Sequence, residues 1–179
     1  MSKSKLSKEE ELLLQGFSSN ISKKDHVMFY IIAVLITSVP IYLYYGVYQM
    51  EPVDSWIIWL LSVVGASGLL GTAYRNTKQM YKHAAVVKRG EAVAREVSKT
   101  LSSDKKISSF ERDERILFKK NEVGDYEATT LSIFYNNVLF MALFLVISFF
   151  ILYNINPVWN CLGSLVGSAG LVALFSTSK

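Results

Sequence analysis

Arg75–Thr130 reads RNTKQMYKHAAVVKRGEAVAREVSKTLSSDKKISSFERDERILFKKNEVGDYEATT, and it is the only long polar stretch in the interior of a 179-residue chain. It holds thirteen basic residues against nine acidic ones, so its charge of about +4 accounts for the net charge of the whole chain. An apolar block flanks it on each side. A mildly basic insert held between apolar blocks has the form of a docking device.

Working outward, four apolar segments run over residues 27–48, 53–74, 130–153 and 158–175. Spans of roughly 18 to 25 residues at about 1.5 Å rise match a hydrocarbon core about 30 Å thick. Hydrophobic residues make up 51% of the chain, and their clustering into blocks is what marks a membrane protein. Short connections, Gln49–Pro52 and Asn154–Pro157, each carry a proline that breaks the helix. The pattern predicts an all-α membrane protein with four transmembrane helices in two hairpins and a helical hairpin inserted between spans two and three.

The expected organisation is a tail over 1–26, a transmembrane hairpin over 27–74, a charged helical hairpin over 75–129, a second transmembrane hairpin over 130–175 and a tail over 176–179. The two hairpin turns contain no Lys or Arg, whereas the tails and the centre hold all nineteen basic residues. By the positive-inside rule both termini and the centre then face the cytosol. Tyr42, Tyr44, Tyr45, Tyr48, Trp56, Trp59, Tyr74, Tyr153 and Trp159 near span ends suit interfacial belts. In the tail, Ser7-x-x-Glu10 has capping-box spacing ahead of Leu12, Leu13, Leu14 and Phe17, the signature of a short amphipathic helix. The polar lead and the apolar run after it are both too long for a secretory signal peptide. Asn20-Ile21-Ser22 matches a glycosylation sequon only by chance, because this topology keeps it from the lumen.

Within the central stretch nothing but Gly90 interrupts a helix from Arg75 to Leu101, long enough to project about 40 Å. Val86, Val93, Val97 and Leu101 form a sparse apolar stripe. After a polar turn over 102–106, Ser108-x-x-Glu111 opens a return helix on which Phe110, Leu117 and Val123 would face the first, with Gly124 marking a bend.

The chemistry this sequence excludes is as informative. His26 and His83 stand near membrane boundaries without partner motifs, the one cysteine, Cys161, sits in an apolar run, and no phosphate loop, HExxH or nucleophile elbow occurs. No enzyme, metal or cofactor is expected. An ion-coupled transporter needs an ionisable residue within its spans, and the interiors of all four lack Asp, Glu, Lys, Arg and His. A small transporter or lipid-handling protein therefore stands only as the alternative. A hairpin protein that shapes membranes is weaker still, given the long charged insert.

Small residues mark close helix approach: Gly65, Gly68 and Gly71 in the second span, and Gly163, Gly167 and Gly170 in the fourth. They fit packing within this chain or against a partner's helix. Arg75, Lys78 and Lys82 lie within two turns of the membrane, where anionic lipid headgroups are the expected contact. Lys99, Lys105, Lys106, Arg112 and Arg115 lie too far out for that. They fit RNA phosphate or an acidic protein surface, or else internal pairing with Glu96, Asp104, Glu111 and Glu114.

The run Asp113–Asn137, DERILFKKNEVGDYEATTLSIFYNN, resembles the gamma-subunit family of the translocon-associated protein complex, also called the signal sequence receptor. The likeness extends over nearly the whole chain, through Glu11–Gln15, Phe17-Ser18, Pro40–Tyr44, Ser148–Leu152, Asn156-Pro157 and Leu174–Thr177. Phe118 stands where the family pattern leads one to expect Trp, and Gly124 where one expects Ala. Ser108-Ser109-Phe110 also makes the hairpin tip less basic than in animal members. The resemblance implies an endoplasmic reticulum protein that works with alpha, beta and delta subunits beside the Sec61 channel, under a translating ribosome. It implies support of nascent-chain translocation and insertion without catalysis, and a ribosome contact made by the cytosolic hairpin. Carried onto this chain, that contact falls on Lys105, Lys106, Arg112 and Arg115.

Overall fold

The computed structural model describes residues 23–101 and 109–177. Among them the chain is helical: α1 (Lys23–Gly46), α2 (Pro52–Leu101), α3 (Ser109–Val146) continuing into a π-helical turn (Ile147–Ile151), and α4 (Pro157–Thr177). Four helical stretches are long and apolar enough to cross a membrane: His26–Gly46, Pro52–Val86, Arg115–Ile151 and Pro157–Thr177. The short helix expected in the tail and the polar turn over 102–106 fall outside the described residues.

Two prolines expected to break helices instead start them. Pro52 and Pro157 each occupy the first helical position, where the missing N–H is not needed and the fixed φ suits the helix. Asn156 caps α4, its Oδ1 accepting the Val158 N–H at 3.0 Å. Gly124 marks no bend, since α3 runs through it without interruption. Likewise α2 passes Gly90 and continues for 50 residues, about 75 Å.

The chain divides into an apolar unit, Ser22–Asn76 with Ser132–Lys179, and a polar unit that includes Thr77–Leu131. Phe29, Ala33, Ala66, Leu70, Phe140, Phe144, Leu165 and Ala169 fill the middle of the apolar unit. There α4 runs beside α2 in the same direction. Ser62 meets Cys161, Gly65 faces Val166, Leu69 faces Gly170 and Asn76 bonds Ser176, in step along both helices.

Polar groups concentrate in two layers of this unit. In one, the buried Tyr44 hydroxyl donates to Asn160 Oδ1 at 2.9 Å and accepts from the Ser148 and Ser164 hydroxyls at 3.0 and 2.5 Å. The π turn explains why the layer is needed. Its wider hydrogen bond, Leu152 N–H to Ile147 C=O at 2.8 Å, leaves the Ser148 carbonyl turned aside. Asn160 Nδ2 (3.1 Å) and the Tyr48 hydroxyl (3.0 Å) both donate to it, and the same Nδ2 reaches Leu152 C=O at 3.0 Å. In the other layer Tyr74 bonds Asn137 through its hydroxyl, while its backbone carbonyl accepts from Ser132 at 2.7 Å.

These layers revise the aromatic belt. Tyr42, Tyr45, Trp56, Tyr153 and Trp159 are exposed as expected, but Tyr44 and Tyr74 are fully buried. A tyrosine near a span end has two outlets for its hydroxyl, the headgroups or a neighbouring helix, and here Asn160 and Asn137 supply the second.

Asn160→Leu removes four side-chain hydrogen bonds at once. At about 0.6 kcal/mol for each bond between membrane helices, the loss should be about 2–3 kcal/mol. Unfolding of the full chain in mixed micelles, titrated with denaturing detergent, measures it. A loss below about 0.5 kcal/mol would mean that the π turn does not depend on this amide.

Candidate functional site

The polar unit is built on an ion-paired helix contact. Lys78 and Lys82 are four residues apart on α2, so their ammonium groups lie on one face. Both reach Asp125 of α3, Lys78 Nζ at 2.9 Å from Oδ2 and Lys82 Nζ at 3.0 Å from Oδ1. Their side chains are only 3% and 11% exposed, against 34% for Asp125. One carboxylate thus bridges two enclosed cations.

The contact is close because Gly124 precedes Asp125. A Cβ at Gly124 would fall 2.5 Å from Val86 Cγ2, a stiff β-branched methyl. Val86, Val93, Gly124 and Ala128 are buried, and Leu117 and Val123 are partly so. Val97 is partly buried too, so these positions agree with the expected apolar stripes, while the side chains of Leu101 and Phe110 lie outside what is described. The residue read as a bend is thus a point of contact, because a glycine inside a continuous helix leaves room for a neighbour.

The other expected site residues are placed as follows. Lys78 and Lys82, expected at lipid headgroups, turn to Asp125, because a partly enclosed carboxylate across the contact offers each a charge-assisted bond. Arg75 is half-buried, and its Nε has no hydrogen-bond partner. Lys99 in the last turn of α2 and Arg115 near the start of α3 are exposed. Arg112 lies on α3, with its side chain outside what is described, and Lys105 and Lys106 lie outside the described residues. On the exposed faces Arg95 pairs with Glu91 at 4.0 Å and Lys119 with Glu122 at 2.8 Å.

Of the small residues, Gly71 and Gly163 sit in close approaches within the chain. A Cβ there would come 2.7 Å from the Tyr30 ring and 3.0 Å from Leu152. Gly65 and Gly170 make ordinary contacts with Val166 and Leu69, and Gly68 and Gly167 have open space around them. Cys161 is buried against Ser62, with 3.9 Å between Sγ and Oγ. Among the described residues no group of three His, Cys, Asp or Glu side chains has metal-binding geometry.

Sequence reasoning missed Asp125 as the partner of two lysines, and it missed the Tyr44–Asn160 layer. For Asp125 a signal was present in the i, i+4 spacing of Lys78 and Lys82, which requires a shared counter-ion once that face is covered. For Asn160 the signal was an amide one turn inside an apolar span.

Four long apolar helices, buried polar layers and an ion-paired polar unit define an all-helical protein of the multi-pass membrane class. The family model described as translocon-associated protein, gamma subunit (TRAP-gamma), matches residues 9–178. The chain belongs to that family of translocon-associated subunits. It is similar to the translocon-associated protein subunit gamma of Dictyostelium discoideum, with 28% identity over 161 residues that cover 90% of this chain and 91% of the relative.

The triad makes a ranked prediction for stability. Asp125→Asn removes the carboxylate that two enclosed ammonium groups share and should cost about 3 kcal/mol. Lys82→Met leaves the Lys78–Asp125 pair intact and should cost less than about 1 kcal/mol. Thermal unfolding of the purified full chain in detergent ranks the two, and equal losses would refute the shared-carboxylate account.

Proposed function

We propose that this chain is a multi-pass subunit of the endoplasmic reticulum membrane, with both termini and the polar unit in the cytosol, that links the Sec61 channel to the translating ribosome. The family match over residues 9–178 carries the reading. The two transmembrane hairpins, 27–74 and 130–175, anchor it beside the channel with the alpha, beta and delta subunits. The charged hairpin over 75–129 reaches toward the ribosome and so assists nascent-chain translocation and membrane insertion.

Charge placement supports this division. The polar stretch carries the net charge of the chain, and a surface rich in rRNA phosphate is the complementary partner. Lys99, Lys105, Lys106, Arg112 and Arg115 are the proposed contact residues. Lys78 and Lys82 brace the base of the hairpin through Asp125, which leaves Arg75 as the proposed headgroup contact among the three. Gly68 and Gly167, open in this chain, are the glycines available to a partner's helix.

Ribosome binding by this mechanism releases counterions, so affinity should fall steeply with salt. Reversing the charge at Lys105, Lys106 and Arg112 together should weaken co-sedimentation with ribosomes and flatten the salt dependence, while membrane insertion stays normal. Binding that is indifferent to salt would remove the mechanism. Recovery of the tagged chain from mild-detergent extracts without channel components or other subunits would remove the bridging role.

A further inference from the structure

On α2, Ile57, Leu61, Val64, Thr72 and Arg75 share one helical phase, with spacings of 4, 3, 8 and 3 residues. The first four are exposed. The packed faces of α2 lie to either side of them. Gly71 and Tyr74 meet Tyr30 and Phe29 of α1, while Leu69 and Asn76 meet Gly170 and Ser176 of α4. The exposed row is therefore the lipid-facing side of the span, and it ends at Arg75. Arg75 comes twenty-three residues after Pro52, about 35 Å along the helix, where hydrocarbon gives way to headgroups.

The protein leaves this guanidinium without a counter-ion. The side chain is half-buried, its Nε–H has no partner, and among the described residues it forms no ion pair. Asp125 is engaged by Lys78 and Lys82, and the neighbouring Asn76 is turned to Ser176. Arginine stays charged, and its planar fork matches two oxygens of a phosphate. Lipid phosphates lie at this depth, whereas a partner's carboxylate would have to enter the span at a cost. We propose that Arg75 holds the phosphate of one anionic glycerophospholipid, whose acyl chain runs down α2 along Thr72, Val64, Leu61 and Ile57. The proposal rests on the headgroup reading of Arg75 and adds to it a retained lipid of stated charge. Charge matters because the ammonium of a zwitterionic headgroup competes with the guanidinium for the same phosphate.

The test uses the full chain in nanodiscs of phosphatidylcholine alone or with phosphatidylinositol added. Both faces of a nanodisc are alike, so the result does not depend on which face is cytosolic. Phosphatidylinositol should raise the thermal midpoint of the unaltered chain and survive as a one-to-one adduct in native mass spectrometry. Arg75→Gln should weaken that retention by about tenfold or more and abolish the shift. Arg75→Lys, which keeps the charge without the fork, should keep part of both. Equal melting of Arg75→Gln and the unaltered chain in phosphatidylcholine alone would show that binding, not folding, was lost. Undiminished retention by Arg75→Gln, equal retention of the two lipids, or the full shift from inorganic phosphate in phosphatidylcholine discs would overturn the proposal. The headgroup reading fails separately, if a fluorophore at position 75 is not quenched by headgroup-labelled lipid.

Discussion

A hydrogen-bonding group inside a membrane bundle has no water to turn to, and much of the apolar unit follows from that constraint. The π turn at Ile147–Ile151 leaves the Ser148 carbonyl without its helical partner, and Asn160 and Tyr48 reach in from other helices to satisfy it. Tyr44 completes the arrangement, its one proton and two acceptor sites all engaged. This layer sets how α1, α4 and the π turn meet. Apolar contacts alone would set it poorly, since leucine and lipid tails attract one another about equally.

The polar unit meets a related constraint with charge. Asp125 receives both enclosed lysines, Lys78 and Lys82, and it can come close because Gly124 beside it has no side chain. Stability and position are joined here, since a shift of α3 along α2 would uncover three charges. The exposed ion pairs, Arg95–Glu91 and Lys119–Glu122, have no such role. They are free to exchange, as befits a surface proposed to meet a polyanion.

Work is thus divided along the chain. Buried polar groups hold helices in register, and enclosed charges brace the polar unit.

The resemblance of Asp113–Asn137 pointed to the family, and period and composition by themselves determined the four apolar helices, the unbroken length of α2 and the polar centre. These depend on local hydrophobicity and on helix start signals, which neighbours cannot override when the solvent is lipid. Only the tertiary structure decided what the polar side chains do. Tyr44 and Tyr74 carry the same belt signature as Tyr42 and Tyr45, yet they turn inward because Asn160 and Asn137 lie across from them. Lys78 reads as a lipid-facing cation until Asp125, forty-seven positions away, covers it. Gly124 reads as a bend until Val86 shows that it is a contact. In each case the deciding partner is distant in sequence, so no local pattern could name it.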